Sequence, residues 1–241
     1  MKHPKDYIVF PLDVSDYDSA MSYIDLLKDH VGVFKIGLEL FISEGPAVLD
    51  RIRKNCDNYL FLDLKLHDIP VTVKRSLLAL SGYKPNFVTV HCDEGGAALK
   101  EAAENNPSGI KILAITVLTS LGSDQLELMG YSRRFKDSLS DLVLLKAKVA
   151  KEAGCHGVVC SGLEVARIKK EIADDIIAVC PGIRPAWSVI DNEDQRRVIT
   201  PGEAVRNGAD YIVIGRPIRD ASDPAGAAMR VADEIGNVCC V

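Results

Sequence analysis

The stretch LFLDLKLHDIP, residues 60–70, decides how this chain folds. Its leucines recur at every second position, which is the alternation of a β-strand that packs one face against an apolar layer. The same alternation places Phe61, Asp63 and Lys65 together on the opposite face. We therefore predict a strand that turns its leucines outward to covering helices and carries two opposite charges on its inner face.

Seven further runs along the chain are apolar, short and bounded by turn residues, as strands are. The eight predicted strands span residues 7–14, 33–37, 59–66, 87–92, 111–117, 157–160, 176–182 and 211–217. Amphipathic segments such as LEVARIKKEI, residues 163–172, separate them. Strict alternation of strand and helix predicts a parallel sheet, and eight units in 241 residues predict closure into a (β/α)8 TIM barrel. We expect one α/β domain over residues 1–241.

Composition narrows the function classes. The formal net charge is −5, whereas wrapping nucleic acid or adhering to anionic lipid needs a basic surface, so we expect neither partner. No apolar run approaches the roughly 20 residues of a membrane span, and the opening MKHPKDY leads straight into a predicted strand, so we expect a cytoplasmic protein. The seven cysteines form no CxxC pair, and we expect reduced structural thiols.

Charged residues gather where the first three predicted strands end. Asp13 closes the first strand, Lys35 lies in the second, and Asp68 follows Lys65 by three residues just beyond the third. Each buried charge costs on the order of several kcal/mol unless it is paired, so this density calls for an explanation. A structural ion network at the barrel rim is one interpretation. We favour a catalytic cluster with Asp63, because active sites of these barrels lie at the carboxyl ends of the strands.

The last third of the chain predicts a phosphate site. The eighth predicted strand ends near Gly215 and Arg216, and Arg184 in CPGIRP follows the seventh. Phosphate commonly binds after strands seven and eight of this fold, where a glycine lets backbone N–H groups come close. A salt bridge across the rim is the alternative role for Arg216. A helix beginning near Asp223 and Pro224 is expected to point its positive end at the same anion.

Two long connections follow predicted strands, residues 119–138 and 184–199, and we expect both to act as lids over the site. A helix is predicted directly after the second one. There Thr200, Pro201 and Glu203 match a capping box with proline in the first turn.

These motifs together resemble one enzyme family. DLKLHDIPVT (residues 63–72), the upstream LDV and FKIG, CPGIRP and the closing TPGEAVRNGADYIVIGRPI are similar to the bacterial type of orotidine 5′-phosphate decarboxylase over essentially the whole chain. The resemblance implies a carboxy-lyase that converts orotidine 5′-phosphate to UMP and carbon dioxide in pyrimidine synthesis. It also implies a cytoplasmic homodimer that uses no metal or organic cofactor.

The resemblance also implies roles for matching residues. Lys65 would protonate C6, Asp63 would lie beside the departing carboxylate, and Lys35 would hold the charge network and contact the ribose. Asp68 would complete that network from across the dimer interface. The implied substrate-binding residues are Asp13, Lys35, Thr72 (across the interface), Thr119 or Ser120 at the pyrimidine, and Arg184, Gln195, Gly215 and Arg216 at the phosphate end.

Three alternatives remain at this point. The DxKxxD pattern of residues 63–68 is shared with sugar-phosphate decarboxylases that need a divalent metal. Lys65 could instead form a Schiff base in an aldolase. The chain could also bind nucleotide phosphates without catalysis. His67 and His91 show no HxH or HxxxH metal spacing, and we interpret them as structural.

Overall fold

A computed structural model describes residues 2–106, 109–188 and 197–239 of the chain. Eight strands form a closed barrel in chain order, each parallel to the next, and the eighth pairs with the first. The strands are β1 Ile8–Pro11, β2 Val33–Ile36, β3 Tyr59–Leu66, β4 Phe87–His91, β5 Lys111–Ile115, β6 Gly157–Val159, β7 Ile177–Cys180 and β8 Tyr211–Val213. Every one lies inside a predicted strand, which confirms the TIM barrel.

Helices surround this barrel. They are α1 Tyr17–Leu27, α2 Leu38–Glu44, α3 Ala47–Arg53, α4 Pro70–Leu80, α5 Gly96–Glu104, α6 Ser123–Leu128, α7 Arg133–Asp137, α8 Leu139–Glu152, α9 Val165–Glu171, α10 Pro201–Arg206, α11 Arg216–Arg219 and α12 Pro224–Cys239. The connection after β5, which we predicted to be a lid, contains the short helices α6 and α7. Of the second predicted lid, residues 189–196 lie outside the described residues.

The two faces of the sheet belong to separate cores, as the alternation in β3 predicts. Leu60 and Leu62 are fully buried in the large core between strands and helices, and Leu64 and Leu66 pack against it. Phe61 belongs instead to a small core inside the barrel. Its other buried members are Val9, Val33, Phe87, Leu113 and Val179. Because this small core fills the interior of the barrel, polar groups on the inner face lie towards the carboxyl ends of the strands.

β3 departs from a regular strand at its charged end. Leu62 pairs with Val88 and Leu66 pairs with Val90, so residues 63–65 lie opposite one residue of β4. Lys65 has a φ of 51°, in the left-handed region that side chains other than glycine rarely adopt. Such a bulge costs backbone energy and re-aims a side chain, and it is typical of functional sites.

The predicted start of α10 is confirmed. The Thr200 hydroxyl accepts a hydrogen bond from the backbone N–H of Glu203 at 3.3 Å, and the Glu203 carboxylate accepts one from the backbone N–H of Thr200 at 3.2 Å. Five cysteines are buried free thiols: Cys56, Cys92, Cys155, Cys160 and Cys180. Within the described ranges, no helix is both long and apolar enough to cross a membrane.

Candidate active site

A cavity of about 510 Å³ opens at the carboxyl ends of the strands. Its walls combine polar residues that follow β1, β5, β7 and β8 with inner-face residues of β2 and β3. The predicted site residues that line it are Asp13, Lys35, Asp63, Lys65, Thr119, Ser120, Arg184, Gly215 and Arg216. One cavity therefore collects side chains that are up to about 200 residues apart in the sequence, because barrel closure brings β8 next to β1.

Four of these side chains form an alternating chain of charges on the wall built by β1, β2 and β3. The Asp63 Oδ2 atom lies 2.9 Å from Lys65 Nζ and 3.4 Å from Lys35 Nζ. Lys35 Nζ also lies 3.5 Å from Asp13 Oδ1. A side chain at Gly37 would crowd this second pair, since a Cβ there would be 3.3 Å from the Asp13 oxygen. The order is thus Asp13, Lys35, Asp63, Lys65.

Asp63 is the centre of this array and is nearly inaccessible to solvent, with 8% of the residue exposed. Burial raises the pKa of its carboxyl group, but the ammonium groups of Lys35 and Lys65 and hydrogen bonds from Lys65 and Thr89 outweigh that effect. The net pKa lies below its usual value. Asp63 is therefore ionised at neutral pH. Because both lysines face one carboxylate oxygen, their positive charges are held close together at the cavity wall.

The two lysines differ in access. The Lys35 side chain is 12% exposed and lies between two carboxylates, whereas the Lys65 side chain is 34% exposed. A bound molecule in the cavity therefore meets the Lys65 ammonium more readily. A compact, mobile charge of this kind can stabilise a developing anion and can also transfer a proton.

Thr89 supports the array and was not predicted. Its hydroxyl donates to Asp63 Oδ1 at 3.0 Å and accepts from the backbone N–H of Lys65 at 2.8 Å. The bulge removes that N–H from the strand ladder, so the buried threonine supplies the missing partner. The alternation of β4 could have revealed it, because Thr89 is two residues after Phe87, which belongs to the inner core.

The wall built by β7 and β8 carries arginines. Arg184, Arg216 and Arg219 all line the cavity beside Gly215. A Cβ at Gly215 would lie 3.0 Å from Pro11 Cγ, so a side chain at this position would crowd the Pro11 ring. Arg219, which the sequence interpretation missed, forms an ion pair with Asp220 at 2.7 Å. The arginines and the glycine suit an anion such as a phosphate monoester.

One part of the predicted phosphate site is wrong. α12 begins at Pro224 as predicted, and Asp223 Oδ1 accepts the backbone N–H of Gly226 at 3.0 Å. However, neither Asp223 nor Pro224 lines the cavity. The four-residue helix α11 intervenes directly after β8, so the start of α12 is separated from the arginine wall.

Three predicted site residues do not line this cavity. Asp68 is exposed, and its carboxylate accepts the backbone N–H of Ile69 at 2.6 Å while its own N–H donates to Glu94 at 3.2 Å. Thr72 lies in α4, whose first residue is Pro70. Gln195 falls outside the described residues. Asp68 thus follows the carboxyl end of β3 without lining its own subunit's cavity, and its place in the charge cluster stays a prediction.

The two histidines lie beside the cavity rather than in it. The His67 and His91 rings stack with centroids 5.1 Å apart, and His91 Nδ1 lies 3.1 Å from Asp93 Oδ2. Burial lowers the pKa of His91, an effect that Asp93 only partly opposes. The ring is thus mainly neutral at pH 7. Among the described residues, no group of three or more histidine, cysteine or acidic side chains is placed to hold a metal ion.

Comparisons with known proteins agree on one family. The family model described as "Orotidine 5'-phosphate decarboxylase / HUMPS family" matches residues 6–231. The chain is 45% identical to the orotidine 5′-phosphate decarboxylase of Desulfosudis oleivorans, covering 96% of this chain and 94% of that protein. It is 44% identical to that of Methylococcus capsulatus, covering 97% and 93%. The crystal structure of the Lactobacillus acidophilus enzyme superposes with a TM-score of 0.82 at 34% identity, covering 95% and 99%.

Proposed function

The chain belongs to the orotidine 5′-phosphate decarboxylase / HUMPS family, and from that premise we propose that it converts orotidine 5′-phosphate to UMP and carbon dioxide. One observation carries the proposal. A single cavity has an alternating Lys35–Asp63–Lys65 array on one wall and a cluster of arginines on another. A nucleotide monophosphate whose base loses carbon dioxide needs both features, one for the reacting carbon and one for the phosphate.

The arginine wall is proposed to bind the phosphate. Arg184 and Arg216 supply guanidinium donors, and Gly215 leaves the backbone accessible between them and β1. Gln195 is proposed as a further contact at this end. Because the phosphate takes no part in bond cleavage, its binding energy serves to hold the reacting ring in place.

The remaining polar residues of the cavity are assigned to the ribose and the base. Asp13, half exposed at the end of the charge array, would accept a hydrogen bond from a ribose hydroxyl, and Lys35 would contact the same sugar. Thr119 or Ser120, on the connection after β5, would contact the pyrimidine. These positions let the phosphate and the base be held on different walls, with the sugar between them.

The chemistry follows from the charge array. Loss of carbon dioxide from C6 leaves an electron pair in the plane of the ring, where it does not delocalise into the π system, so nearby positive charge must stabilise it. The Lys65 ammonium would meet this charge as it develops and then donate its proton to C6, giving the neutral amine and UMP. Asp63 would lie beside the departing carboxylate and hold the ammonium in position at 2.9 Å.

We propose that this reaction needs no metal or organic cofactor. Formal charge is conserved at the site, because substrate adds one carboxylate and cleavage moves that negative charge to C6. What changes is its position, from beside Asp63 to beside Lys65. The barrier reduction required is near the top of the roughly 8–23 kcal/mol range of enzymes, so preorganisation of the array is essential.

We further propose a cytoplasmic homodimer of single catalytic domains, each spanning residues 1–241. Asp68 and Thr72 do not line their own cavity, although Asp68 lies in the loop that joins β3 to α4 and Thr72 lies in the first turn of α4. In the proposed dimer they enter the cavity of the partner subunit, where Asp68 extends the alternating charges beyond Lys65. The formal charges of Lys35 and Lys65 then balance those of Asp63 and Asp68.

The proposed activity is tested by following the pyrimidine absorbance of orotidine 5′-phosphate with purified protein in EDTA. Activity in EDTA is expected, together with a loss of at least ~10²-fold in Lys65→Ala, the lower limit for a positioned general acid. Loss of this activity in EDTA would contradict the proposed independence of metal and would favour the metal-dependent alternative. An adduct trapped by borohydride would indicate a Schiff base, and UMP binding without turnover would indicate a silent binding protein.

The shared site is tested by mixing two inactive variants, Lys65→Ala and Asp68→Ala. A hybrid dimer holds one site with both residues intact. With random exchange half of the dimers are hybrids, so activity should recover to about a quarter of the wild-type value. Absence of recovery, with subunit exchange verified by mass spectrometry of tagged chains, would contradict a site shared between subunits.

A further inference from the structure

Arg197 and Glu164 form a buried ion pair that the proposed chemistry does not use. Arg197 Nη1 lies 2.8 Å from Glu164 Oε1, and the two side chains are 12% and 6% exposed. Neither residue lines the cavity. Burial raises the pKa of the Glu164 carboxyl group, although Arg197 opposes that effect. A pair held this far from solvent is costly to form, so the contacts it makes are informative.

The second arm of the guanidinium reaches the loop that follows β5. Arg197 Nη2 donates to the carbonyl oxygen of Val117 at 3.0 Å and to that of Leu118 at 3.4 Å. The next two residues, Thr119 and Ser120, line the cavity. The planar fork of an arginine makes this geometry rigid, because Glu164 fixes one arm while the other holds the two carbonyls.

The backbone next to Arg197 is itself anchored to a neighbouring strand end. The N–H of Ile199 donates to the carbonyl of Gly182 at 3.2 Å, and the N–H of Arg184 donates to the carbonyl of Ile199 at 2.9 Å. Ile199 also packs so closely on Gly162 that a Cβ there would lie 2.7 Å from its Cγ2. Residues 197–199 therefore join the loops that follow β5, β6 and β7.

We propose that Arg197, oriented by Glu164, is a positioning residue that holds the β5 loop so that Thr119 and Ser120 face the base of a bound pyrimidine nucleotide. This inference rests on the proposed function for the identity of the ligand. Stability alone does not require this ion pair, because two apolar side chains of similar size would pack at least as stably in its place. Only the arginine can donate to the carbonyls of Val117 and Leu118.

The chain offers a matched control. Lys169 lies 2.9 Å from Asp210 Oδ2 and donates to the carbonyls of Asp174 at 3.0 Å and Ile176 at 2.8 Å. This cluster also joins one cation, 15% exposed, to one carboxylate and two carbonyls, although its carboxylate is 38% exposed, and none of its members lines the cavity. Lys169→Met therefore shows how much the loss of such a cluster far from the site changes ligand affinity.

The test compares two ligands that share a phosphate and a ribose, UMP and ribose 5-phosphate, by calorimetric titration. Arg197→Met should weaken UMP binding at least tenfold and ribose 5-phosphate binding less than twofold, because only UMP carries a base. Lys169→Met should change neither by more than twofold. The double variant Glu164→Met/Arg197→Met should regain thermal stability relative to Arg197→Met without regaining UMP affinity.

Recovery of UMP affinity in the double variant would overturn the proposal, since the pair would then be purely structural. Equal weakening of both ligands, or no weakening of either, would overturn it as well. If the wild-type protein binds neither ligand, the proposed function fails, and hydrogen–deuterium exchange of residues 116–121 decides the positioning role alone. Exchange there should be faster in Arg197→Met than in the wild type or Lys169→Met, and unchanged exchange would refute it.

Discussion

Replacing Asp63 by asparagine should destabilise the protein more than any other isosteric change in the charge array. Asparagine keeps the shape of the side chain and removes its charge. Lys35 and Lys65, which both approach Oδ2, then face each other across a neutral amide. With only 8% of Asp63 exposed, little water is available to replace the lost carboxylate.

The distances give the magnitude. At an effective dielectric constant of about 20, a charge pair at 2.9 Å contributes ~6 kcal/mol and one at 3.4 Å contributes ~5 kcal/mol before desolvation is subtracted. Removing one partner of a buried pair typically costs about 3–5 kcal/mol in all. Because Lys65 is one-third exposed and regains hydration, we expect about 3 kcal/mol. For a chain of this size that lowers the melting temperature by roughly 6–12 °C.

Asp13→Asn is the matched control. It makes the same chemical change in the same array, but the Asp13 side chain is 49% exposed and its pair with Lys35 is long, at 3.5 Å. An exposed pair of this kind is worth about 0–1 kcal/mol. Thermal melts of both variants at pH 7.5, at matched protein concentration, give the comparison. Equal melting temperatures for the two variants would refute the reasoning.

The pH dependence supplies a second criterion. The folded-state pKa of Asp63 is lowered, so its contribution is fully present above the unfolded-state pKa of about 3.9 and is lost as the pH falls through the lower folded value. The difference in stability between the wild type and Asp63→Asn should therefore be constant from about pH 8 to 5. It should narrow only below about pH 4. A difference that narrows near pH 6 would implicate a histidine instead.

Three further outcomes are expected. Thr89→Val should lower the free energy of unfolding by about 1–3 kcal/mol, because it leaves the N–H of Lys65 and one oxygen of Asp63 without a partner. Thr89→Ser keeps the hydroxyl and should remain near the wild type in thermal melts. Arg216→Ala should weaken UMP binding by ~10- to 150-fold in calorimetric titrations and leave uridine binding unchanged, because only UMP carries the phosphate. Equal losses of affinity for both ligands would contradict the assignment of Arg216 to the phosphate. Thr200→Ala should destabilise by about 0.5–2 kcal/mol in urea titrations by removing the cap of α10, and Thr200→Ser should not.

Much of the fold could be predicted because strand alternation is local. The eight strands and the outward leucines of β3 follow from spacing over a few residues. Several predicted strands extend beyond the observed ones, because the chain stops pairing with its neighbours where it enters the loops around the cavity. Arg216, for example, was predicted in a strand and is the first residue of α11. Capping at Thr200 was predictable for the same reason, since its partner is three residues away.

The candidate site was predictable only in part. The position of each residue along its strand was enough to predict that four charged residues lie at one end of the barrel, because the first three strands are parallel neighbours. These residues are Asp13, Lys35, Asp63 and Lys65. Thr89 obeys the same alternation and was overlooked because a lone threonine is common in strands. Gln195 still rests on the family resemblance.

The amino-acid sequence determined that this chain forms eight parallel strands, which end carries the charges, and which residue types gather there. Tertiary structure alone decided that two lysines share one oxygen of Asp63, that Lys65 adopts a left-handed backbone, and that Arg197 binds carbonyls about 80 residues away. The physical reason is range. Alternation and capping act between residues a few positions apart, whereas these contacts exist only after the barrel has closed and its loops have packed against one another.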